Sequence, residues 1–485
     1  MNSVSLFSEG QKVLVGKFIA AFSGFVGIVI YANVLGAAGL GLYYLSHAVA
    51  TIASKPGDGI GISIEKINNK AASKKSSYAS TGLIITSVYV ILLSVLAIFL
   101  YQLFPILRTN TPRYSIVYLT IILFIFLSIY VLLSRIYSGL GEPGDSVIID
   151  AGRGIIETTI QITLLWYGFG VEGLISGTII ATFLAIIYLV LFTPVKFSKP
   201  TYDSLTSISE FARWSVITTT VRNMYERMDT ILIGYLVSPS AVGIYEAAMK
   251  IIVPSKYISH AIEKPLLVRV SQDIGKNKPV KPLLNKVTPY ASLLAIPLFA
   301  GSIFVSSDLL QFIYGSEFVT GAPILIGGAV YYIIHTHSNV LSEFLHGYNK
   351  PTPVTKSIII GSIVRFSTAL LFLYQFGIIG IIPSMVITEI ARFYLLRVSI
   401  KNICNMNYTP YKIKSQFISA IMMSAIIIPL FLFFDISNPV YLFTLISIGG
   451  MTYIITLINI DEYVKLIITE NNIPFIHKFI LKNYQ

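Results

Sequence analysis

The chain has 485 residues, of which 54% are hydrophobic and 12% are charged, with a formal net charge of +12. Soluble domains carry roughly 25% charged residues, so this composition excludes a soluble enzyme, a nucleic-acid-binding domain and a disulfide-held secreted fold. The excess of Lys and Arg lies mainly in short loops, where it indicates orientation in a membrane rather than a nucleic-acid partner.

Apolar stretches of about 20 residues, long enough to cross a bilayer, follow one another along the chain. The predicted spans are residues 12–35, 39–64, 80–101, 114–137, 147–167, 173–192, 212–236, 241–267, 287–306, 321–345, 357–374, 378–400, 417–434 and 440–460. The sequence therefore predicts an all-α integral membrane protein with about 14 transmembrane helices. An even number of spans places both termini on the same side of the membrane.

Basic residues are concentrated in one set of alternate loops, which predicts the orientation of the chain. The loops of the other set hold only Arg108 and Arg113. The basic set contains Lys66, Lys70, Lys74, Lys75, Lys196, Lys199, Arg269, Lys276, Lys278, Lys281, Lys350, Lys356, Lys401, Lys412 and Lys414. The positive-inside rule predicts a multi-pass protein of the cell membrane with both termini cytoplasmic.

Two short patterns recur at offsets of about 200 residues, which indicates an internal duplication. Residues 41–43 resemble 243–245, and residues 169–173 resemble 376–380. A repeat with an even number of spans keeps its orientation, so its two-fold axis runs along the membrane normal and a substrate would bind between the halves. We therefore predict two six-helix bundles around a central cavity, over residues 1–200 and 201–402. Two additional helices and a cytoplasmic tail would occupy residues 403–485.

Charged residues within the predicted spans cluster in the first two helices of each repeat. Each costs ~2.5–3.5 kcal/mol at the bilayer centre, so such residues usually face a cavity or a charged partner. The candidate cavity-lining residues are Lys17, Lys55, Asp58, Arg222, Glu226, Arg227, Asp229, Glu246, Lys250 and Lys256. Their slight excess of positive charge predicts binding of an anionic group, although the acids of the seventh span could simply neutralise the neighbouring arginines.

Other polar residues receive structural interpretations. Pro56, with glycines at positions 57, 59 and 61, predicts a break in the second span. The residues Asp150, Arg153 and Glu157 lie near a helix start, where we expect their side chains to reach the interface. Glu389 and Arg392 are most simply a structural ion pair. His335 and His337, two apart, lie on different helix faces and are best read as hydrogen-bonded core histidines rather than metal ligands.

Catalytic motifs are missing from the sequence. It contains no Gly-x-x-x-x-Gly-Lys-Ser/Thr phosphate loop, no Asp-x-Asp pair and no His-Glu-x-x-His sequence. We therefore expect no catalytic residues, no metal site and no cofactor, apart from a coupling ion, H⁺ or Na⁺, that a transporter would need.

Several segments resemble one known group of transporters. The run Ala32-Asn-Val-Leu-Gly-Ala-Ala-Gly-Leu-Gly-Leu-Tyr43 resembles the opening of polysaccharide flippases of the multidrug/oligosaccharidyl-lipid/polysaccharide exporter superfamily. Residues 227–234, 242–248 and 313–318 are similar to later helices of that family, and residues 54–61 resemble its archaeal members. The resemblance covers most of the chain and implies the same repeat and span number.

This resemblance implies a flippase for a polyprenyl- or dolichyl-(pyro)phosphate-linked oligosaccharide, used to make cell-surface polysaccharide or glycoprotein glycan. Its partners would be the lipid-linked glycan, membrane lipids and other glycan-assembly proteins of the membrane, and not nucleic acid. Two alternatives stay open. A cation-coupled multidrug exporter of the same superfamily would need acids without cationic excess, and a membrane glycan polymerase or glycosyltransferase would need the catalytic motifs that are missing.

Overall fold

The computed structural model describes residues 6–68, 75–103, 114–140, 143–192, 198–406, 408, 413–433 and 439–461. These residues are almost entirely α-helical, and none of them forms a strand. The helices of the first part are α1 (Leu6–Asn68), α2 (Lys75–Leu103), α3 (Tyr114–Ser138), α4 (Pro143–Trp166), α5 (Gly170–Phe192), α6 (Tyr202–Leu236) and α7 (Pro239–Ile252). The remaining ones are α8 (Tyr257–Gly275), α9 (Lys281–Ala291), α10 (Ala295–Tyr314), α11 (Ala322–Gly347), α12 (Pro351–Phe376), α13 (Ile381–Cys404), α14 (Ile413–Phe433) and α15 (Pro439–Ile460).

Nine helical segments of the described chain are long and apolar enough to cross a membrane. Pro351–Cys404 contains two successive predicted spans, and Ile19–Ile67 contains one such span and most of the one before it. The all-α, multi-pass fold is therefore confirmed. Helices α4, α6, α7 and α8 are not among the nine, and α4, α6 and α7 contain most of the charged residues singled out in the sequence. The total of about 14 spans remains a prediction.

The first two predicted spans form one helix, α1, which is kinked at Gly36. Gly36 has φ 66° and ψ −175°, a conformation that only glycine adopts without strain. Tyr31 and Tyr43 both contact Gln161, although twelve residues of straight helix would separate them by ~18 Å. The chain therefore folds back on itself at Gly36, so that α1 is a helical hairpin.

The predicted break at Pro56 is wrong, because α1 continues as a helix through this residue. The glycines that follow allow close helix packing instead. A Cβ atom added to Gly57 would lie 2.9 Å from the Ser128 carbonyl oxygen of α3, and one added to Gly59 would lie 2.5 Å from Val216 Cα of α6. Packing on two sides holds this part of α1 helical, although Pro56 removes one backbone hydrogen bond.

The chain forms two compact units, Met1–Gly243 and Ile244–Gln485. In the first unit, α6 packs along the second half of α1. The Ser215 hydroxyl donates a hydrogen bond to the Gly59 carbonyl oxygen at 2.7 Å, and Thr219 donates to the Lys55 carbonyl oxygen at 3.3 Å. Because residue numbers rise on one helix as they fall on the other, the two helices are antiparallel. The sequence-based domain boundaries stay a prediction.

In the second unit, two apolar clusters form the core. One joins α8, α9, α11 and α13 and includes Leu266, Phe344 and Leu396. The other includes Ile296 of α10 and Met423 of α14, and it packs α14 and α15 against α10. The two C-terminal helices, α14 and α15, therefore share an apolar interface with α10 of the same unit.

Two pairs of glycines lie at corresponding positions of the predicted repeat. Gly170 and Gly377 occupy corresponding positions and have almost the same positive φ, 59° and 58°. Gly41 and Gly243 pack against each other: a Cβ atom on Gly41 would lie 2.8 Å from the Gly243 nitrogen, and one on Gly243 would lie 3.1 Å from the Gly41 nitrogen. A side chain at either position would therefore collide with the other helix, and the duplication itself stays a prediction.

Candidate functional site

A cluster of charges at Asp58 forms the first part of the candidate site. Asp58 is 10% exposed and accepts contacts from Lys55 Nζ at 3.4 Å and from Arg135 Nε at 2.7 Å. Arg135 also lies 3.8 Å from a Glu65 carboxylate oxygen. The two positive and two negative charges of these four residues balance one another. Sequence reasoning missed Arg135, which lies 77 positions from Asp58 and meets it only because α1 packs against α3.

The second part of the site is on α6, beside this cluster. Arg222 and Glu226 form an ion pair at 3.3 Å, and their side chains are 68% and 54% exposed. Thr219 contacts the backbone of Lys55, so Arg222 lies about one helical turn from the level of Lys55 on the neighbouring helix. Exposed charges on a helix that runs beside a membrane span are expected to face water rather than lipid.

Two other predicted residues of α6 lie differently. Asp229 is buried, at 4% exposure, and Arg227 is partly buried. The interpretation that acids of this span neutralise neighbouring arginines applies to Glu226, whose carboxylate contacts Arg222. The first unit therefore brings Lys55, Asp58 and Arg222 onto adjoining helices.

The remaining predicted residues belong elsewhere. Lys17 lies in α1, but its side chain is outside the described residues. Glu246 is buried and Lys250 is partly buried on α7, while the Lys256 ammonium lies 6.0 Å from the centre of the Tyr332 ring. The last three belong to the second unit. A single cavity lined by all ten residues stays a prediction.

The expectation that Arg153 and Glu157 reach the interface is wrong. Their side chains are only 17% and 12% exposed, and Arg153 Nη1 donates to Glu157 Oε2 at 2.7 Å. The other carboxylate oxygen of Glu157 accepts from Thr178 at 2.8 Å, and the buried Gln161 donates to Thr178 at 2.9 Å. The network is enclosed because α4 packs against both α1 and α5. Asp150, at 53% exposure, is the member that stays open to solvent.

The pair Glu389–Arg392 behaves as the sequence predicts. Glu389 is completely buried and lies 3.2 Å from Arg392 Nη1 and 3.3 Å from His335 Nδ1. His337 belongs to a separate set of contacts: its ring nitrogens lie 2.9 Å from the Tyr408 hydroxyl and 3.2 Å from the Ser292 hydroxyl. Both histidines are therefore hydrogen-bonded core residues, as their spacing indicates.

Comparison with known sequences connects this architecture with glycan synthesis. A family model described as polysaccharide biosynthesis protein matches residues 80–323. The probable flippase AglR of Haloferax volcanii is 27% identical over 86% of this chain and 88% of its own length. A second protein of that organism, the probable low-salt glycan biosynthesis flippase Agl15, is 23% identical over 78% of this chain and 79% of its own.

Solved structures show the same fold. The inward closed lipid II flippase MurJ matches with a TM-score of 0.77 and 18% identity, over 92% of this chain and 97% of that one. An inward-facing multidrug resistance MATE family transporter matches with a TM-score of 0.63 and 14% identity, over 82% of this chain and 100% of that one. The sequence match over half of the chain confirms the resemblance noted from its motifs: the chain belongs to the polysaccharide biosynthesis protein family.

Proposed function

We propose that this protein is a flippase that moves a polyprenyl- or dolichyl-(pyro)phosphate-linked oligosaccharide across the membrane by alternating access. The observation that carries the proposal is the exposed guanidinium of Arg222 on a helix packed against a membrane span. The family, the names of the two Haloferax relatives and the fold shared with a lipid II flippase agree with it.

The chemistry of the cargo explains why a cation is needed. A phosphate or diphosphate loses its hydration when it enters a cavity of low dielectric constant, and a nearby positive charge compensates for that loss. Arg is well suited because its planar guanidinium can donate two hydrogen bonds to one phosphate. Lys55 lies on the adjoining helix and shares Asp58 with Arg135, so it could exchange this carboxylate for the phosphate.

The alternatives are less well supported. A multidrug exporter has the same fold, but the relatives found by sequence are named as flippases. A polymerase or glycosyltransferase would have to catalyse glycosidic bond formation, whereas flippases only transport. The protein is accordingly a transporter and not an enzyme. Other glycan-assembly proteins are its expected neighbours in the membrane.

Deleting the gene tests the proposal directly. We expect the lipid-linked glycan to accumulate in the cytoplasmic leaflet, because synthesis continues while transport stops. The measurement is digestion of the glycan by an impermeant glycosidase, in sealed right-side-out and inside-out vesicles. Re-expression of the wild-type chain is the control and should restore the outer pool. Accumulation in the outer leaflet would instead indicate a function after translocation, such as polymerisation.

The orientation of the chain can be tested in the same cells. We propose that both termini are cytoplasmic, because the basic loops share one side. Cysteine tags placed after Lys75, Lys199 and Lys278 and at Gln485 should resist an impermeant thiol reagent until the membrane is permeabilised. A tag at Asn110 should react at once and serves as the external control. Labelling of any of the first four sites in intact cells contradicts the proposed orientation.

A further inference from the structure

A stripe of exposed side chains runs along α6 toward its N-terminal end. Glu210, Trp214, Thr218, Arg222 and Glu226 follow one another at intervals of four residues and are all exposed. Residues four apart lie one above the next on a helix, so the five form one slowly winding row. Trp214 is the only aromatic member of this row, and its side chain is 66% exposed.

The composition of this row differs from that of a surface in contact with lipid. Apart from Gln102 near its end, the exposed residues described on α2 are apolar, for example Ile84, Ile91 and Val95, as expected for a helix in hydrocarbon. The row on α6 contains three charged residues and one hydroxyl around a single tryptophan. Arg213 also places its guanidinium 5.9 Å from the centre of the Trp214 ring. Trp214 therefore lies in a row with charged and hydroxyl side chains, while the exposed Phe211 and Ile217 flank it on the same helix.

The position of Trp214 relative to Arg222 fits a ligand with two chemically different parts. Eight residues of α-helix separate the two Cα atoms by ~12 Å along the axis. A lipid-linked glycan has a phosphate group followed by a chain of sugars, and the C–H faces of a sugar ring pack well on a flat aromatic ring. The indole N–H can in addition donate to a hydroxyl group.

We propose that Trp214 is a sugar-binding platform, which holds the glycan of the cargo while Arg222 holds its phosphate. This inference rests on the proposed flippase function and adds to it a residue that distinguishes a glycosylated lipid from a bare lipid phosphate. The row on α6 then acts as a track on which the head group lies lengthwise. Trp214 contributes binding of the glycan, and Arg222 contributes binding of any phosphate-bearing lipid.

The surroundings of Trp214 can be measured first. The chain contains two tryptophans, and Trp166 lies at the exposed end of α4. The Trp166→Phe variant therefore reports on Trp214 alone. In proteoliposomes its fluorescence should be quenched by acrylamide and little affected by lipids with brominated acyl chains. Quenching mainly by the brominated lipids would show that Trp214 is an anchor at the lipid interface, and would overturn the proposal.

The second measurement is binding of the natural cargo. The probes are the lipid-linked glycan fraction extracted from cells that lack the gene, and polyprenyl diphosphate without sugar. Trp214→Ala should weaken binding of the glycosylated fraction about 10-fold and leave binding of polyprenyl diphosphate unchanged. Trp214→Phe keeps an aromatic ring, so its affinity for the glycosylated fraction should lie between those of the wild type and Trp214→Ala. This conservative variant is the control for a folding defect. Equal binding of the glycosylated lipid by wild type and both variants would overturn the role of Trp214. Failure of the wild type to bind that lipid would instead count against the flippase function itself.

Discussion

Replacement of Arg222 by alanine is expected to lower glycan translocation about 10- to 100-fold, with normal expression and an unchanged melting temperature. A hydrogen bond to a charged group is worth about 1.5–3 kcal/mol, and Arg222 offers the most exposed cation of the candidate site that the structure describes. Its partner Glu226 is itself 54% exposed, so loss of this pair should cost the fold little. The measurement is the leaflet assay described above, with the variant as the only source of the protein.

Two further variants test whether the effect is specific to the guanidinium group at position 222. Arg222→Lys should keep part of the activity, since it retains the charge but loses the two-pronged hydrogen-bond geometry. Lys281→Ala removes an exposed positive charge outside the candidate site and should transport as the wild type does. Normal transport by Arg222→Ala would show that Arg222 and Glu226 are merely a surface ion pair, and the phosphate-binding role would have to be abandoned.

Replacement of Glu157 by glutamine is expected to destabilise the folded protein by about 3 kcal/mol. The change leaves the largely buried guanidinium of Arg153 without its 2.7 Å partner, and breaking such a pair on one side is strongly destabilising. Asp150 can compensate only in part, because it is 53% exposed. The measurement is the midpoint of unfolding of the purified protein in detergent.

The control for this prediction changes Arg153, the partner of Glu157. The double variant Glu157→Gln/Arg153→Met removes both charges and should recover most of the lost stability, because no buried charge is left unpaired and Asp150, which loses Arg153, is 53% exposed. Asp150→Asn changes an exposed member of the group and should shift stability by less than about 1 kcal/mol. If the single and double variants were equally unstable, the hydrogen bonds of Glu157 to Thr178 would matter more than its charge.

The fold was predictable because apolar runs of bilayer length are a strong and repeated signal. Whether the helix continues or breaks within one such run was harder to predict. Pro56 has the sequence features of a helix break, but close packing against Ser128 and Val216 keeps the helix intact. Such packing depends on which helices become neighbours, and the sequence around Pro56 contains no information about residues 70 or 160 positions away.

The candidate site was predictable to a similar degree. The spacing of Lys55 and Asp58 indicates a pair on one helix, and the structure contains it. The contact of Arg135 with Asp58 could not be inferred, because Arg135 belongs to another helix. The sequence did contain a sign that Glu157 is enclosed, since Arg153, Glu157 and Gln161 follow one another at intervals of four residues and so form a polar row on one helix face. The proximity of these residues to a helix start suggested the interface instead.

The kink at Gly36 has a consequence for how the protein enters the membrane. Within Leu6–Asn68, Gly36 is the only residue with a non-helical backbone, so no hydrophilic loop joins the first two spans. A newly made chain therefore has no polar segment to carry across the bilayer at this point. The two halves can be inserted together as a hairpin whose backbone groups are almost all hydrogen-bonded beforehand, which removes the main energetic barrier to entering hydrocarbon.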